Sequence, residues 1–370
     1  MKKKPQHKLP FIDKFFLWIN IGLCLALLLS YLAPVTDPKK IWVIAFFGLA
    51  YPPLLLCNVL MIVYWVLRRS KYVVLPIATI LLGYNTLNNN VGFRLSSSVV
   101  KPANALRLMT YNVHDFKRLN PQPGDKSTKH DVFKILAEEQ PDIICMQEYF
   151  SRNRGVFAMT DSIKKIIGAK HYYFEKFYGN DTDGIGIAMF SKLPIIDKGL
   201  IQLTELDNSN QCLYIDIKYH DQIVRIYTVH LQSIKFEPVD YRYIDSVAKN
   251  YKADYSSTKR LGGKLKKAFI RRSEQVAKIR KHASQCSYPY IIAGDFNDTP
   301  TSFAVNQMAK GLKNAFREKG SGLGRTYNGD FPNYQIDYVM ASPNFDVAGY
   351  RIIEKKLSDH YPVCADLVLK

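Results

Sequence analysis

The stretch that decides the fold is Tyr290–Ile291–Ile292–Ala293–Gly294–Asp295–Phe296–Asn297–Asp298. A short apolar run without polar interruption reads as a strand buried on both faces. Glycine and then an acid and an amide follow it, so polar groups stand at the end of a rigid mount. Alone, Asp295 and Asn297 between Gly294 and Pro300 also suit an ordinary turn. The same grammar recurs along the chain, and recurrence gives it weight. Asn112 ends LMTYN, Glu148 ends DIICMQE, His230 ends IYTVH and Asp337 ends YQID, while Asp359–His360 stands before a last apolar run. Polar groups at six strand ends can converge in one cleft.

Strands are expected at 105–111, 142–146, 172–178, 184–190, 212–219, 222–230, 289–293, 336–340 and 363–369. Asp131 is positioned to cap a helix carrying Val132, Ile135 and Leu136 on one face, and Pro141 ends it. A basic amphipathic helix is expected over 264–282. Many strands with few helices suggest an α/β fold of two packed sheets with helices outside.

The chain has 370 residues, of which 47% are hydrophobic and 22% charged, which excludes wholesale disorder. Its six cysteines contain no CxxC pair, which excludes a zinc ribbon or a thioredoxin-type site. Cys145 and Cys364 read as small buried apolar residues, while Cys212 and Cys286 are candidates for a pair. Residues 1–100 hold 11 Lys and Arg against two acids, Asp13 and Asp37. Residues 15–33 and 41–67 carry no charge and are long enough to span a bilayer, with Pro52 and Pro53 interrupting the second. A weaker third candidate covers 72–87. Lys2, Lys3, Lys4, Lys8 and Lys14 precede the first span, and Arg68, Arg69 and Lys71 follow the second, so both ends belong on the cytoplasmic side. Three spans then place the remainder outside the cytoplasm, and two place it inside. The expected organisation is an anchor over 1–93 partnered by the lipid bilayer, a linker over 94–103 around Ser96–Ser98, and a catalytic domain over 104–370. A polybasic N-terminus before a short anchor suggests a bacterial inner-membrane protein.

Together the motifs resemble the endonuclease/exonuclease/phosphatase superfamily, whose fold is that of deoxyribonuclease I. The resemblance covers about residues 104–370, with Asn112, the QE pair ending in Glu148, GDFN, the IDY motif at Asp337 and SDH at 358–360 in the family's order. It implies a four-layer sandwich of two sheets flanked by helices. It also implies a phosphoesterase that uses Mg2+, or alternatively Mn2+, to neutralise an anionic ester and activate it towards water. Glu148 is then the principal metal ligand, Asp359 a second, and Asn112 part of the same site. His360 is a candidate general base oriented by Asp337, and Asp295 either orients the water or is itself the base. Asn297 would donate to a phosphate oxygen and His230 would stabilise the phosphate or the leaving group. His114 and Asp115 are further residues near the cleft. Gln335 stands where relatives often have arginine.

The substrate class stays open between lipid headgroups and nucleic acid, and no protein partner is evident. From Lys259 to Lys281 there are ten Lys or Arg and one acid, Glu274. That patch suits a nucleic-acid backbone, an anionic membrane surface or mere solvation. A surface nuclease is therefore an alternative, and a catalytically silent membrane-bound binding module is an alternative of another class.

Overall fold

Strand β2 (Leu106–Asn112) alternates its side chains between two apolar environments, and that alternation sets the layers. Leu106 and Leu108 face a core shared by two sheets, whereas Met109 and Tyr111 face helices. The computed structural model describes residues 10–94, 100–118, 127–204, 209–250, 252–329 and 333–370. Ser96–Ser98 of the expected linker and Lys2, Lys3, Lys4 and Lys8 lie outside the described residues.

The elements in chain order begin with α1 (Phe11–Ser30), α2 (Val43–Leu49), α3 (Tyr51–Leu67), α4 (Val74–Leu82), α5 (Tyr84–Asn90) and the short β1 (Gly92–Phe93). After β2 come α6 (Lys129–Glu139), β3 (Ile143–Arg152), α7 (Met159–Ile167), β4 (His171–Gly179) and β5 (Asp183–Ser191). Then follow β6 (Ile195–Gln202), β7 (Gln211–Tyr219), β8 (Gln222–His230), α8 (Pro238–Asn250) and α9 (Tyr255–Ala283). The chain continues with β9 (Tyr290–Asp295), α10 (Phe303–Ala309), β10 (Lys313–Asn314), α11 (Ala315–Lys319) and β11 (Ser321–Gly322). It closes with β12 (Asp337–Ala341), β13 (Phe345–Ile352) and β14 (Val363–Leu369).

Two six-stranded sheets result, one ordered β13-β14-β2-β3-β5-β4 and the other β10-β12-β9-β8-β7-β6. Their facing sides share the central core, where Ile143, Cys145 and Met189 meet Ile215, Ile226 and Ile291. On the outer side of the first sheet, Ile144 and Phe190 pack on Ile135 of α6 and Ile163 of α7. On the outer side of the second, Val229 and Ile292 pack on Val276 and Ile279 of α9 and Val305 of α10. This is the expected four-layer sandwich. Both faces of the central strands are buried, which is why they read as continuous apolar runs. Each sheet has one parallel pair at its centre, β2 with β3 and β8 with β9. Both pairs deliver their C-terminal residues to the same cleft.

Three expectations change. Thr128, not Asp131, stands at the N-cap of α6, and Asp131 occupies the first turn near the helix's positive end. The basic helix begins at Tyr255, well before 264, because the Asp254 side chain accepts the Ser257 N–H and starts it earlier. Cys212 and Cys286 do not pair, and all six cysteines are free.

Among the N-terminal helices, α1 has the length and apolarity to cross a membrane, and α2 with α3 passes the same test as a pair bent by 62°. The break falls at Ala50, directly before Pro52 and Pro53 at the first turn of α3. These helices bury polar side chains together with Leu27, Met61 and Trp65, and leave large apolar side chains outside. Asp13, Asn20, Asn58 and Thr79 are buried, whereas Phe11, Trp18, Leu60, Leu67 and Leu82 are exposed. Asn20 accepts from Trp65 Nε1 at 2.8 Å, and Asn58 Nδ2 donates to the Leu54 carbonyl at 2.8 Å. Asp13 at the start of α1 holds Arg68 at the end of α3 at 3.0 Å, so the two helices run antiparallel.

Gly294 sits at φ +139°, and a Cβ there would lie 2.1 Å from the Val229 carbonyl oxygen. Only glycine lets β9 approach β8 this closely before the chain turns into the loop at Asp295. Gly294→Ala is therefore expected to destabilise the protein by about 1–3 kcal/mol through overpacking and backbone strain. Urea unfolding of the detergent-solubilised chain would check this, and an unchanged midpoint would contradict it.

Candidate active site

Asp295 is the hub. Its Oδ2 accepts from Asn112 Nδ2 at 3.2 Å and from Asn297 Nδ2 at 3.1 Å, and its Oδ1 accepts the Asn297 backbone N–H at 2.8 Å. The same Oδ2 lies 3.6 Å from His360 Nε2 and 3.7 Å from His230 Nε2. Burial pushes the Asp295 carboxyl up to about 6, Asp337 adds to the rise, and the two imidazoles oppose it. His360 Nδ1 pairs with Asp337 Oδ2 at 2.9 Å. Burial works against a charged His360, but the carboxylates of Asp337, Asp295 and Asp359 outweigh it and hold the ring well above an ordinary histidine.

Glu148 comes from an irregular point of β3, where the register against β5 shifts between Met146 and Tyr149. Its φ of 50° is left-handed, and such a bulge re-aims a side chain. The carboxylate stays one-third exposed on the cleft and lies 3.7 Å from His230 Nε2. Asn112 Nδ2 donates to Glu148 Oε1 at 3.1 Å, while Asn112 Oδ1 accepts the His114 N–H at 3.1 Å. Asn112 thus bridges Glu148 and Asp295 and keeps both carboxylates oriented. Asp359 lines the same cleft, with Oδ1 accepting from Ser358 Oγ at 3.1 Å and 3.5 Å from His114 Nδ1.

The structure therefore brings all eight expected residues to one region: Asn112, Glu148, His230, Asp295, Asn297, Asp337, Asp359 and His360. One arrangement differs from expectation. Both amide hydrogens of Asn297 are engaged, on Asp295 and on the Leu231 carbonyl at 3.0 Å, so Asn297 orients Asp295 instead of facing a phosphate. His230 is the group with capacity left: it is 4% exposed, and neither ring nitrogen has a hydrogen-bond partner. A buried imidazole with two orphan nitrogens next to two carboxylates calls for a further polar group in the cleft. His114 and Asp115 do belong to the neighbourhood, since His114 faces Asp359, and burial with Glu148 nearby raises the Asp115 carboxyl.

Two donor sets could hold a cation. Asp295, Asp337 and His360 cluster within 4.8 Å, but all three are buried and His360 already bonds Asp337. Glu148 and Asp359 offer oxygens on the open cleft, which suits a hard divalent ion that keeps water in its shell. The donor chemistry therefore fits a divalent ion at Glu148 and Asp359, with Asn112 arranging the carboxylate.

Sequence reading did not find Arg272. It is buried on α9, 2.9 Å from Asp298, and its guanidinium also donates to the Asn297 carbonyl. The pair clamps the loop that carries Asp295. Nothing in a run of basic residues marks the one that turns inward. Gln335 is also buried, lying beside the Tyr350 hydroxyl in the core and not on the cleft.

Residues 109–360 match the family model described as Endonuclease/Exonuclease/phosphatase family, and residues 13–90 match a domain of unknown function, DUF8431. A search of curated proteins found no match. Similar solved structures include an endonuclease/exonuclease/phosphatase from Bacteroides vulgatus, 17% identical, TM-score 0.52, covering 72% of this chain and 99% of that one. The mannosyl-6-phosphatase Bt3783 of Bacteroides thetaiotaomicron is 18% identical, TM-score 0.50, with coverages of 71% and 100%. The human Nocturnin catalytic domain is 16% identical, TM-score 0.51, with coverages of 73% and 97%.

Breaking the buried Arg272–Asp298 pair with Arg272→Met is expected to cost about 3–5 kcal/mol, because Asp298 is left as a buried unpaired charge. Lys249→Ala, which removes the exposed pair with Asp245, is expected to leave the unfolding midpoint essentially unchanged, because solvent screens that pair. Parallel urea titrations would check the contrast, and equal losses would contradict it.

Proposed function

The chain belongs to the endonuclease/exonuclease/phosphatase family, hydrolases that act on phosphoester bonds, and from that premise we propose a membrane-anchored, Mg2+-dependent phosphoesterase that directs water onto phosphorus. The observation that carries this reading is the convergence of Glu148, His230, Asp295 and His360, from four separate strand ends and loops, on one cleft.

Bound Mg2+, or alternatively Mn2+, would offset the charge of the ester and polarise the P–O bond. Glu148 is the principal residue to hold it, Asp359 the second, and Asn112 fixes Glu148. The chain's own residues do the rest. The proton of the attacking water passes to the Asp295 carboxylate, beside which Asp337 fixes the charged His360 ring. Asn297 and Asn112 hold the Asp295 carboxylate in place through three hydrogen bonds. His230 turns its orphan nitrogens to the phosphate or to the leaving oxygen, in a water-poor site where a directed donor has most effect.

The N-terminal helices support anchoring by the many large apolar side chains on their outside, while amides and a carboxylate are buried between them. The antiparallel α1 and α3, followed by the shorter apolar α4 running back so that Thr79 meets Tyr31, support three passes. In that reading an anchor over 1–93 holds a catalytic domain over 104–370 outside the cytoplasm of a bacterium.

Glu148→Gln, Asp295→Asn, Asp337→Asn and His360→Ala are each expected to lower turnover of bis-4-nitrophenyl phosphate by at least about 100-fold. Initial rates of the full chain in detergent, with Mg2+ and then with chelator, would check this, and near-full activity would remove that residue from the mechanism. A compartment-sensitive reporter fused after Lys370 is expected to read outside the cytoplasm. A cytoplasmic signal would overturn the three-pass reading.

A further inference from the structure

The catalytic cleft is lined by more than its polar centre of Glu148, His230, Asp295 and His360. Leu49, Ile234, Phe236, Leu265 and Phe269 add apolar wall to the same cleft, with Lys235 among them. Leu49 is the last residue of α2, so the N-terminal helical segment contributes directly to the wall of the site.

That contribution is built in. Gly48 lets α2 approach so closely that a Cβ there would stand 2.6 Å from Ala33 Cβ and 3.1 Å from the Thr301 carbonyl oxygen. The Tyr334 hydroxyl donates to the Leu49 carbonyl at 3.3 Å, the Tyr334 carbonyl accepts the Tyr327 N–H at 3.0 Å, and Tyr327 bridges His360. Phe46 meets Phe269 edge to face at 5.4 Å, Ser273 donates to Asp37 at 2.9 Å, and Asn90 donates to Thr301 at 2.9 Å. The anchor is thus docked on the loop after Asn297 and on α9, at both sides of the cleft.

The basic helix points the same way. Of the ten Lys and Arg from 259 to 281, eight have partners within the protein: Lys259 over the Tyr255 ring, Arg260 and Lys264 on Asp240, Lys266 over the Trp42 ring, Arg271 on Gln232, Arg272 on Asp298, Lys278 on the Leu203 carbonyl and Arg280 on the Met308 carbonyl. Such a helix is poorly free to track a nucleic-acid backbone, which needs a row of exposed cations. One of its lysines instead covers an aromatic ring of the anchor.

We infer that the cleft accepts a phosphoester bearing a hydrocarbon tail, with the phosphate at Glu148 and His230 and the tail against Leu49 and Ile234. The inference rests on the phosphoesterase reading of the same site. A lipid drawn from the bilayer in which the anchor sits would meet this wall without leaving an apolar environment. Large apolar side chains are also exposed on α1 and α3 of the same helical segment.

The test uses the full chain in mixed micelles and two matched pairs of esters. Hexadecyl and methyl 4-nitrophenyl phosphate share a leaving group, and hexadecyl and methyl phosphate cover phosphomonoester chemistry. The hexadecyl member of the hydrolysed pair is expected to show a kcat/KM at least about tenfold higher. Leu49→Asp and, independently, Ile234→Asp are expected to reduce that ratio at least about fivefold, in line with loss of part of an apolar subsite. Glu148→Gln is expected to abolish hydrolysis of both members. Hydrolysis that depends on Glu148 but shows no preference for the tail, or a ratio that neither variant moves, overturns the inference and leaves the phosphoesterase reading standing. Cleavage of plasmid DNA in place of a tail preference also overturns it. No hydrolysis of any ester overturns the reading and the inference together.

Discussion

The hydrogen bond that crosses between the two sheets from Asn112 Nδ2 to Asp295 Oδ2 defines the place where this protein's chemistry can occur. Asn112 ends β2 of one sheet, and Asp295 ends β9 of the other. The residues are far apart in sequence, so the contact exists only if both sheets pack at the right depth. Face-to-face packing in the central core sets that depth, and close packing leaves little freedom to shift it. Once Asp295 is fixed, His230 and His360 both approach it, and Glu148 follows through Asn112. Burying this many polar groups is costly unless they satisfy one another. Here the carboxylates and the imidazolium of His360 compensate each other, while His230 retains capacity for a substrate.

Much of this was legible because a strand buried on both faces must be apolar, so a polar residue at its end is conspicuous. YIIAGD, IYTVH and DIICMQE each announce both an element and a site residue. Strands β6 and β13 were not legible, and the reason is physical. Both are edge strands, and residues such as Asp197, Lys198, Asp346 and Gly349 break their apolar runs. The roles of the amides were also hidden. Asn297 has the residue type of a phosphate donor, but only the structure shows that Leu231 and Asp295 already take both its hydrogens. Arg272 is the clearest case, since its neighbours are other cations and nothing local sets it apart from Arg271.

The N-terminal helices and the two-sheet body are coupled where it matters most for function. The contact from Leu49 through Tyr334 and Tyr327 reaches His360 in three short steps. α9 is central to this coupling. One face packs on the second sheet through Val276 and Ile279, another carries Arg272 to the Asp298 loop, and a third meets Phe46 and Trp42. A helix of 29 residues is long enough to serve all three. Its many basic residues, which by composition suggest a ligand surface, mainly hold the protein's own acids and carbonyls.

The central claim is that Glu148, at the open end of the network, holds the cation, while Asp295, Asp337 and His360 handle protons at the closed end. Anomalous diffraction from crystals of the full chain soaked in Mn2+ tests it directly. The account predicts a peak at the Glu148 carboxylate that Glu148→Gln removes. A peak enclosed by Asp295, Asp337 and His360, with the imidazole as a ligand, would contradict it.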